Sequence, residues 1–215
     1  MEVMLPKKNG IDALLVATDE ALRTLSSTPR ARRMSPADSI VGGQLSPEDR
    51  TNSIRLMRVN HSGEISAQAL YRGQSIFARS AATQQHLLQA ASEEEDHLAW
   101  CSERLNQLGG QPSLLDPLWY TGSFFVGLIA GAAGDNVSLG FVAETERQVE
   151  AHLEDHLSRV SKKDIKSVSI LKKMAQDEAH HGTTATLAGG INLPPLIRST
   201  MALGGGFLRR LSLLV

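Results

Sequence analysis

Two short stretches hold the residues best suited to chemistry: Glu94-Glu95-Asp96-His97 and Glu178-Ala179-His180-His181. In each, a glutamate precedes a histidine by three residues, about 60° around a helix axis, so both side chains share one face. Glu94 also interrupts an apolar stripe, Leu87, Ala91, Leu98, Cys101, Leu105 and Leu108. Glu178 and His181 likewise sit in a stripe of Leu171, Met174, Ala185 and Ala188. Two more stripes carry a lone inward glutamate. Glu146 lies with Val142, Val149, Leu153, Leu157 and Val160; Glu64 lies with Ile54, Met57, His61 and Tyr71, next to Gly63, which would allow close approach. Glu144 and Glu150 fall off the centre of their stripe.

The spacing is that of an internal repeat. Glu64 to Glu94 is 30 residues and Glu146 to Glu178 is 32, and the two halves are offset by 82 and 84. Each half is a helix pair carrying Glu, then Glu-x-x-His. Four carboxylates gathered in a bundle core would repel each other and lose hydration, so they would protonate or unfold the site. Two divalent cations would cancel their charge. Mixed carboxylate and imidazole donors suit iron or manganese, and the lack of thiolate donors disfavours structural zinc. Six protein donors for two ions leave positions free for oxygen or water. Glu93, Glu95, Asp96 and Asp177 read as solvated acids. His152, close after Glu146, is a candidate partner behind a ligand, and His61 and His180 are weaker ones.

The elements that must position these residues are helical almost throughout. The pattern predicts helices at about 11–25, 49–79, 82–108, 136–160, 163–188 and 196–213, with an apolar segment at 117–133. No alternating strand pattern and no glycine-rich phosphate loop interrupts them. Residues 26–48, with three prolines and the cluster Arg30, Arg32 and Arg33, read as a solvated linker. The domain division expected is 1–48 as amphipathic segment and linker, and 49–215 as the catalytic domain.

Charge and composition exclude other classes. With 22 Lys+Arg against 23 Asp+Glu the chain lacks the basic excess of a nucleic-acid binder. One cysteine, Cys101, excludes an internal disulfide framework and suits a reducing compartment. No secretory or transit signal is read at residues 1–20. From Pro117 to Gly134 there are 18 uncharged residues, the lower limit for a spanning helix. Four glycines and Pro117 weaken spanning, leaving a buried helix or one lying on a membrane. The tail joins Leu203, Phe207, Leu208, Leu211, Leu213 and Leu214 to Arg209 and Arg210, which suits either an interfacial anchor or an ordinary packing helix.

At Val59–Ala67, Glu94–Leu98, Glu144–His152 and Asp177–His181 the sequence resembles the demethoxyubiquinone hydroxylase family of ubiquinone biosynthesis. The resemblance covers roughly residues 50–215. It implies an all-α, ferritin-like four-helix bundle with two additional apolar helices, at about 117–133 and 196–213. By it, Glu64, Glu94, His97, Glu146, Glu178 and His181 are the ligands of two iron ions, with Glu94 and Glu178 bridging. It implies an oxygen-dependent monooxygenase that hydroxylates 3-demethoxyubiquinol before the final O-methylation, attached peripherally to the cytoplasmic side of the cell membrane. The polyprenyl benzoquinol and O2 are then its substrates, other ubiquinone-biosynthesis proteins are candidate partners, and no nucleic acid is involved. An iron-oxidising or peroxide-scavenging protein of the ferritin or rubrerythrin kind would share the ligand pattern.

Overall fold

The structure, a computed structural model, describes residues 10–214, with side chains from residue 15. The readings of residues 1–9, and of the side chains of Ile11, Asp12 and Leu14, lie outside the described residues. Seven helices and no strand occur among them: α1 (Gly10–Ser26), α2 (Pro47–Ile76), α3 (Ala81–Leu108), α4 (Asp116–Ala132), α5 (Asp135–Arg159), α6 (Ile165–Leu187) and α7 (Pro195–Ser212). Local chemistry sets the ends. Ser46 accepts from the Asp49 N–H and places Pro47 in the first turn of α2. Ser80 and Asp164 cap α3 and α6 the same way. Gly109 ends α3 in the left-handed region, at φ 74°, where a side chain would be strained.

Helices α2 and α3 form one antiparallel pair and α5 and α6 the other, each closed by a short loop. Contacts of α3 with α6 and of α2 with α5 join the pairs into a four-helix bundle. The crossover between the pairs is α4, which lies along α2 on the outside. Small residues allow this: a Cβ added at Gly127 would overlap the Leu70 carbonyl, and one at Gly73 the Phe124 carbonyl. Gly63, expected to permit close approach, has open space around it.

The core has two main apolar layers. One gathers Leu56, Met57, Trp100, Cys101, Leu105, Leu153, Ile170, Leu171 and Met174; the other Leu70, Tyr71, Leu87, Ala91, Val142 and Ala185. On all four bundle helices the inward acids fall between these two layers in sequence. The apolar segment is neither fully buried nor able to span. Tyr120, Gly127 and Gly131 face α2, Ala130 is buried and Trp119 packs edge-on against Phe207 of α7, while Phe125, Val126 and Ile129 are exposed. Among the described residues no helix is long and apolar enough to cross a membrane.

A buried ion pair fixes α6 against α3. Arg104 donates through Nη2 to Asp164 Oδ1 (2.6 Å) and through Nε to Ser167 Oγ (2.9 Å), and both charged side chains are buried. Arg104→Ala would leave the Asp164 carboxylate buried and unpaired, so unfolding free energy falls by roughly 3–5 kcal/mol, measured by urea denaturation. A change below about 1 kcal/mol would mean the pair is solvated.

Candidate metal centre

All six residues expected to act as ligands meet in one place. Glu64 comes from α2, Glu94 and His97 from α3, Glu146 from α5, and Glu178 and His181 from α6. Each is less than a tenth exposed. They fall into two groups: Glu64, Glu94, His97 and Glu178, and Glu94, Glu146, Glu178 and His181, with the donor atoms of each group within 4.8 Å of one another. Glu94 and Glu178 belong to both. His97 Nδ1 lies 3.0 Å from Glu94, 3.1 Å from Glu178 and 3.7 Å from Glu64. His181 Nδ1 lies 3.2 Å from Glu178, 3.4 Å from Glu94 and 4.0 Å from Glu146. Both rings turn the same nitrogen inward.

The neighbours that could have competed point elsewhere. Glu144 faces Arg147 and Gln148, and His180 is exposed. His61 bonds Asp116 (3.1 Å), which also takes the Ser62 hydroxyl and so ties the start of α4 to α2. His152 does not stand behind Glu146; it shares the side-chain oxygen Oδ1 of Asn60 with His156 (2.9 and 3.0 Å).

Two acids expected on solvated faces prove to back the histidines. The Nε2–H of His97 donates across the bundle to Asp177 Oδ2 (3.1 Å), and that of His181 to Glu93 Oε2 (2.6 Å). Each acid immediately precedes the Glu-x-x-His of its own helix and serves the histidine of the other. Asp96 is also buried, accepting from Arg33, and Glu95 pairs with Arg72. Arg33, expected to be solvated, ties Asp96 to Asp177. The available signal was the repetition of an acid before both motifs; the stripe hid it, because these acids lie to one side of the seam.

Electrostatics set the resting protonation. Burial, with the charges of Glu94 and Glu178, raises Glu64 well above the ordinary carboxylate range despite His97. Burial and the charges of Glu178 and Glu94 raise Glu146 likewise; Tyr71 donates its hydroxyl to this carboxylate. Burial also opposes ionisation of Glu94 and Glu178, but the two histidines outweigh it and hold both below the ordinary range. Burial opposes charging of the histidines too, yet the acids win: His97 is raised well above the usual imidazole value, and His181 is pushed up to about 12.

The donor set fits a pair of cations. Glu94 Oε1 and Glu178 Oε1 are buried and accept no hydrogen bond, though both belong to both donor groups. A glutamate from each of two helices, plus Glu-x-x-His from each of the other two, is the ligand pattern of ferritin-like two-metal bundles.

The His152 and His156 pair gives a separate pH prediction. Burial holds His156 down to about 4, against 6.5 for free imidazole, and His152 also well below. Below pH 6.5 the unfolded chain takes up a proton that the folded chain refuses. Stability present above pH 6.5 is therefore lost as pH falls towards 4, by about 3 kcal/mol for His156. The difference in unfolding free energy between the protein and its His156→Gln variant should narrow by that amount from pH 7 to pH 4; a constant difference would contradict the assignment.

The family model described as ubiquinone biosynthesis protein COQ7 matches residues 51–206. The chain is 51% identical over 193 residues to a 3-demethoxyubiquinol 3-hydroxylase of Cupriavidus metallidurans, covering 89% of this chain and 93% of the relative. The proteins of that name from Legionella pneumophila strain Paris (51% over 193 residues; 89% and 91% covered) and Janthinobacterium sp. strain Marseille (53% over 190 residues; 88% and 91%) are similarly close.

Proposed function

The chain belongs to the COQ7 family of ubiquinone biosynthesis proteins, and from that premise we propose that it is a 3-demethoxyubiquinol 3-hydroxylase holding two iron ions. The observation that carries the proposal is the buried cluster of four glutamates and two histidines drawn from all four bundle helices. In the reaction, one oxygen atom of O2 replaces a ring hydrogen as hydroxyl, and the other leaves as water, at the expense of a two-electron reductant and two protons. No observation favours the storage or peroxide-scavenging alternative.

Glu64 and His97 would hold one ion and Glu146 and His181 the other, with Glu94 and Glu178 shared. Ferrous ions held there would supply electrons and free coordination positions for dioxygen. The chain's own residues do the rest. The leucine and methionine layers on either side keep bulk water out. Asp177 and Glu93 hold the outward proton of each imidazole, which turns Nδ1 to the centre. Tyr71 fixes one oxygen of Glu146. A groove of about 400 Å³ between α5, α6 and the chain leading into α7 reaches Glu178; Ala143, Ala179 and Gly182 line its inner part and Glu144, Arg147, Glu150 and Arg198 also border it, and it would offer the quinol ring a route inward.

Peripheral membrane attachment fits the same reading, since a polyprenyl tail resides in lipid. Phe125 and Ile129 on α4, with Leu196, Leu203 and Phe207 on α7, are exposed apolar side chains, and Arg209 and Arg210 end α7. The Ile129→Glu/Leu203→Glu variant should lose most co-flotation with vesicles containing anionic lipid, while keeping its helical circular dichroism. Undiminished flotation would remove these faces from the interface. The function itself is tested by supplying the iron-loaded protein with demethoxyquinol, O2 and a reductant, and reading the product by mass. A product heavier by one oxygen supports the assignment; unchanged quinol with consumed O2 contradicts it.

A further inference from the structure

We propose that Arg33 is a positioning residue for the His97 half of the centre. It lies outside the residues the family model matches, in the segment 27–46 that runs across α3 and α6. This inference rests on the two-metal reading above.

The segment is docked at several points. The Arg32 and Arg33 N–H groups donate to Asp96 Oδ1 (2.6 and 3.4 Å). The Trp100 indole donates to the Arg33 carbonyl (3.4 Å), and the Ser169 hydroxyl to the Pro36 carbonyl (3.0 Å). Ala37 is buried in the apolar layer of Leu56, Met57 and Trp100. So held, the Arg33 guanidinium lies 4.9 Å from the centre of the Trp100 ring. Its Nε donates to Asp96 Oδ2 (2.6 Å) on α3, and its Nη1 to Asp177 Oδ2 (2.8 Å) on α6. A planar fork can join two carboxylates at fixed separation; a lysine ammonium on a flexible stem does so poorly.

Asp177 Oδ2 is the atom that receives the His97 Nε2 proton; Arg33 Nη2 also lies 3.4 Å from that nitrogen, which as a donor to Asp177 cannot accept from it. The other oxygen of Asp177 takes Lys173 (2.6 Å). Two cations therefore pin the carboxylate that aims His97 at Glu64, Glu94 and Glu178. The second half lacks this support. Glu93, which backs His181, is about a third exposed, its other partner is the neutral amide of Gln89, and among the described residues it ion-pairs with no arginine or lysine. The halves thus match in ligand type and differ in backing. An ion at the His97 side should be held more tightly than one at the His181 side, and Arg33 is part of the reason.

The test is anaerobic titration of the full-length, metal-free protein with Co(II), read from its ligand-field absorption. The protein should take two equivalents in unequal steps. Arg33→Ala should weaken the tighter step by about tenfold or more and leave the other within about twofold. Arg33→Lys, which keeps the charge and serves as the check if the alanine variant folds poorly, should show the same selective loss. Ser169→Ala, which loosens the segment elsewhere, should titrate as the parent does. On an Asp177→Asn background Arg33→Ala should add less than about twofold, because the route through Asp177, the shorter of its two contacts with this half, is already cut. Unchanged titration, equal weakening of both steps, full rescue by lysine, or full additivity with Asp177→Asn would each overturn the proposal. Failure of the parent itself to bind Co(II) would instead overturn the two-metal reading.

Discussion

Glu178→Ala should leave neither ion tightly held and lower hydroxylation by on the order of a thousandfold or more, about 4 kcal/mol of barrier. The reason is position. Glu178 contributes to both donor groups, and its Oε1 is a buried oxygen without a hydrogen bond. Its loss strips a ligand from each ion at once. The fold should survive, because the apolar layers on both sides of the centre do not depend on it. Elemental analysis after ferrous loading, with circular dichroism as the control for folding, reads both halves of the expectation. Glu144→Ala is the contrast: that carboxylate faces Arg147 and Gln148, so the variant should keep both ions. Two ions and full turnover in Glu178→Ala would refute the site assignment.

Metal uptake should release about four protons near neutral pH. In the metal-free protein Glu64 and Glu146 hold protons because burial and neighbouring charge raise them. His97 and His181 hold a second ring proton because the glutamates raise them, His181 to about 12. Glu94 and Glu178 are already ionised. The six groups are then neutral in sum, which is how the cluster tolerates burial without cations. A cation needs all four glutamates ionised and both Nδ1 lone pairs free. Four protons must leave, and the Nε2 protons stay with Asp177 and Glu93. Raising pH therefore favours binding. The constant for taking up both ions should rise with pH, by up to about one power of ten per pH unit for each proton released. Calorimetry in buffers of different ionisation enthalpy counts the protons directly. A release of one or none would mean that the carboxylates are ionised and hydrated before metal arrives.

The cluster was legible in the sequence because its buried donors occupy positions where leucine would otherwise stand. A polar residue on a seam is costly, so Glu94, Glu146 and Glu178 marked themselves, and helical spacing brought His97 and His181 with them. The choice of Glu146 over Glu144 followed from the same seam. Residues that act from beside the seam were not legible. Asp177 and Glu93 reach across to the opposite helix, so their partners are 80 and 88 positions away. Arg33 sits in a stretch whose composition reads as linker, and its value comes from Asp96 and Asp177, which only tertiary structure brings together. The glycines illustrate the same limit. Gly63 is open, whereas Gly73 and Gly127 meet backbone across the α2–α4 contact, a distinction no single-helix pattern contains.

The claim beneath all of this is that six buried donors are held together for a pair of cations. The most direct measurement is the number of metal ions on the folded, ferrous-loaded chain, before and after exhaustive chelation, with quinol hydroxylation assayed on the same samples. The account predicts two ions per chain, both removed with the activity and restored with it. A chelated protein that binds no metal and still hydroxylates at full rate would contradict it.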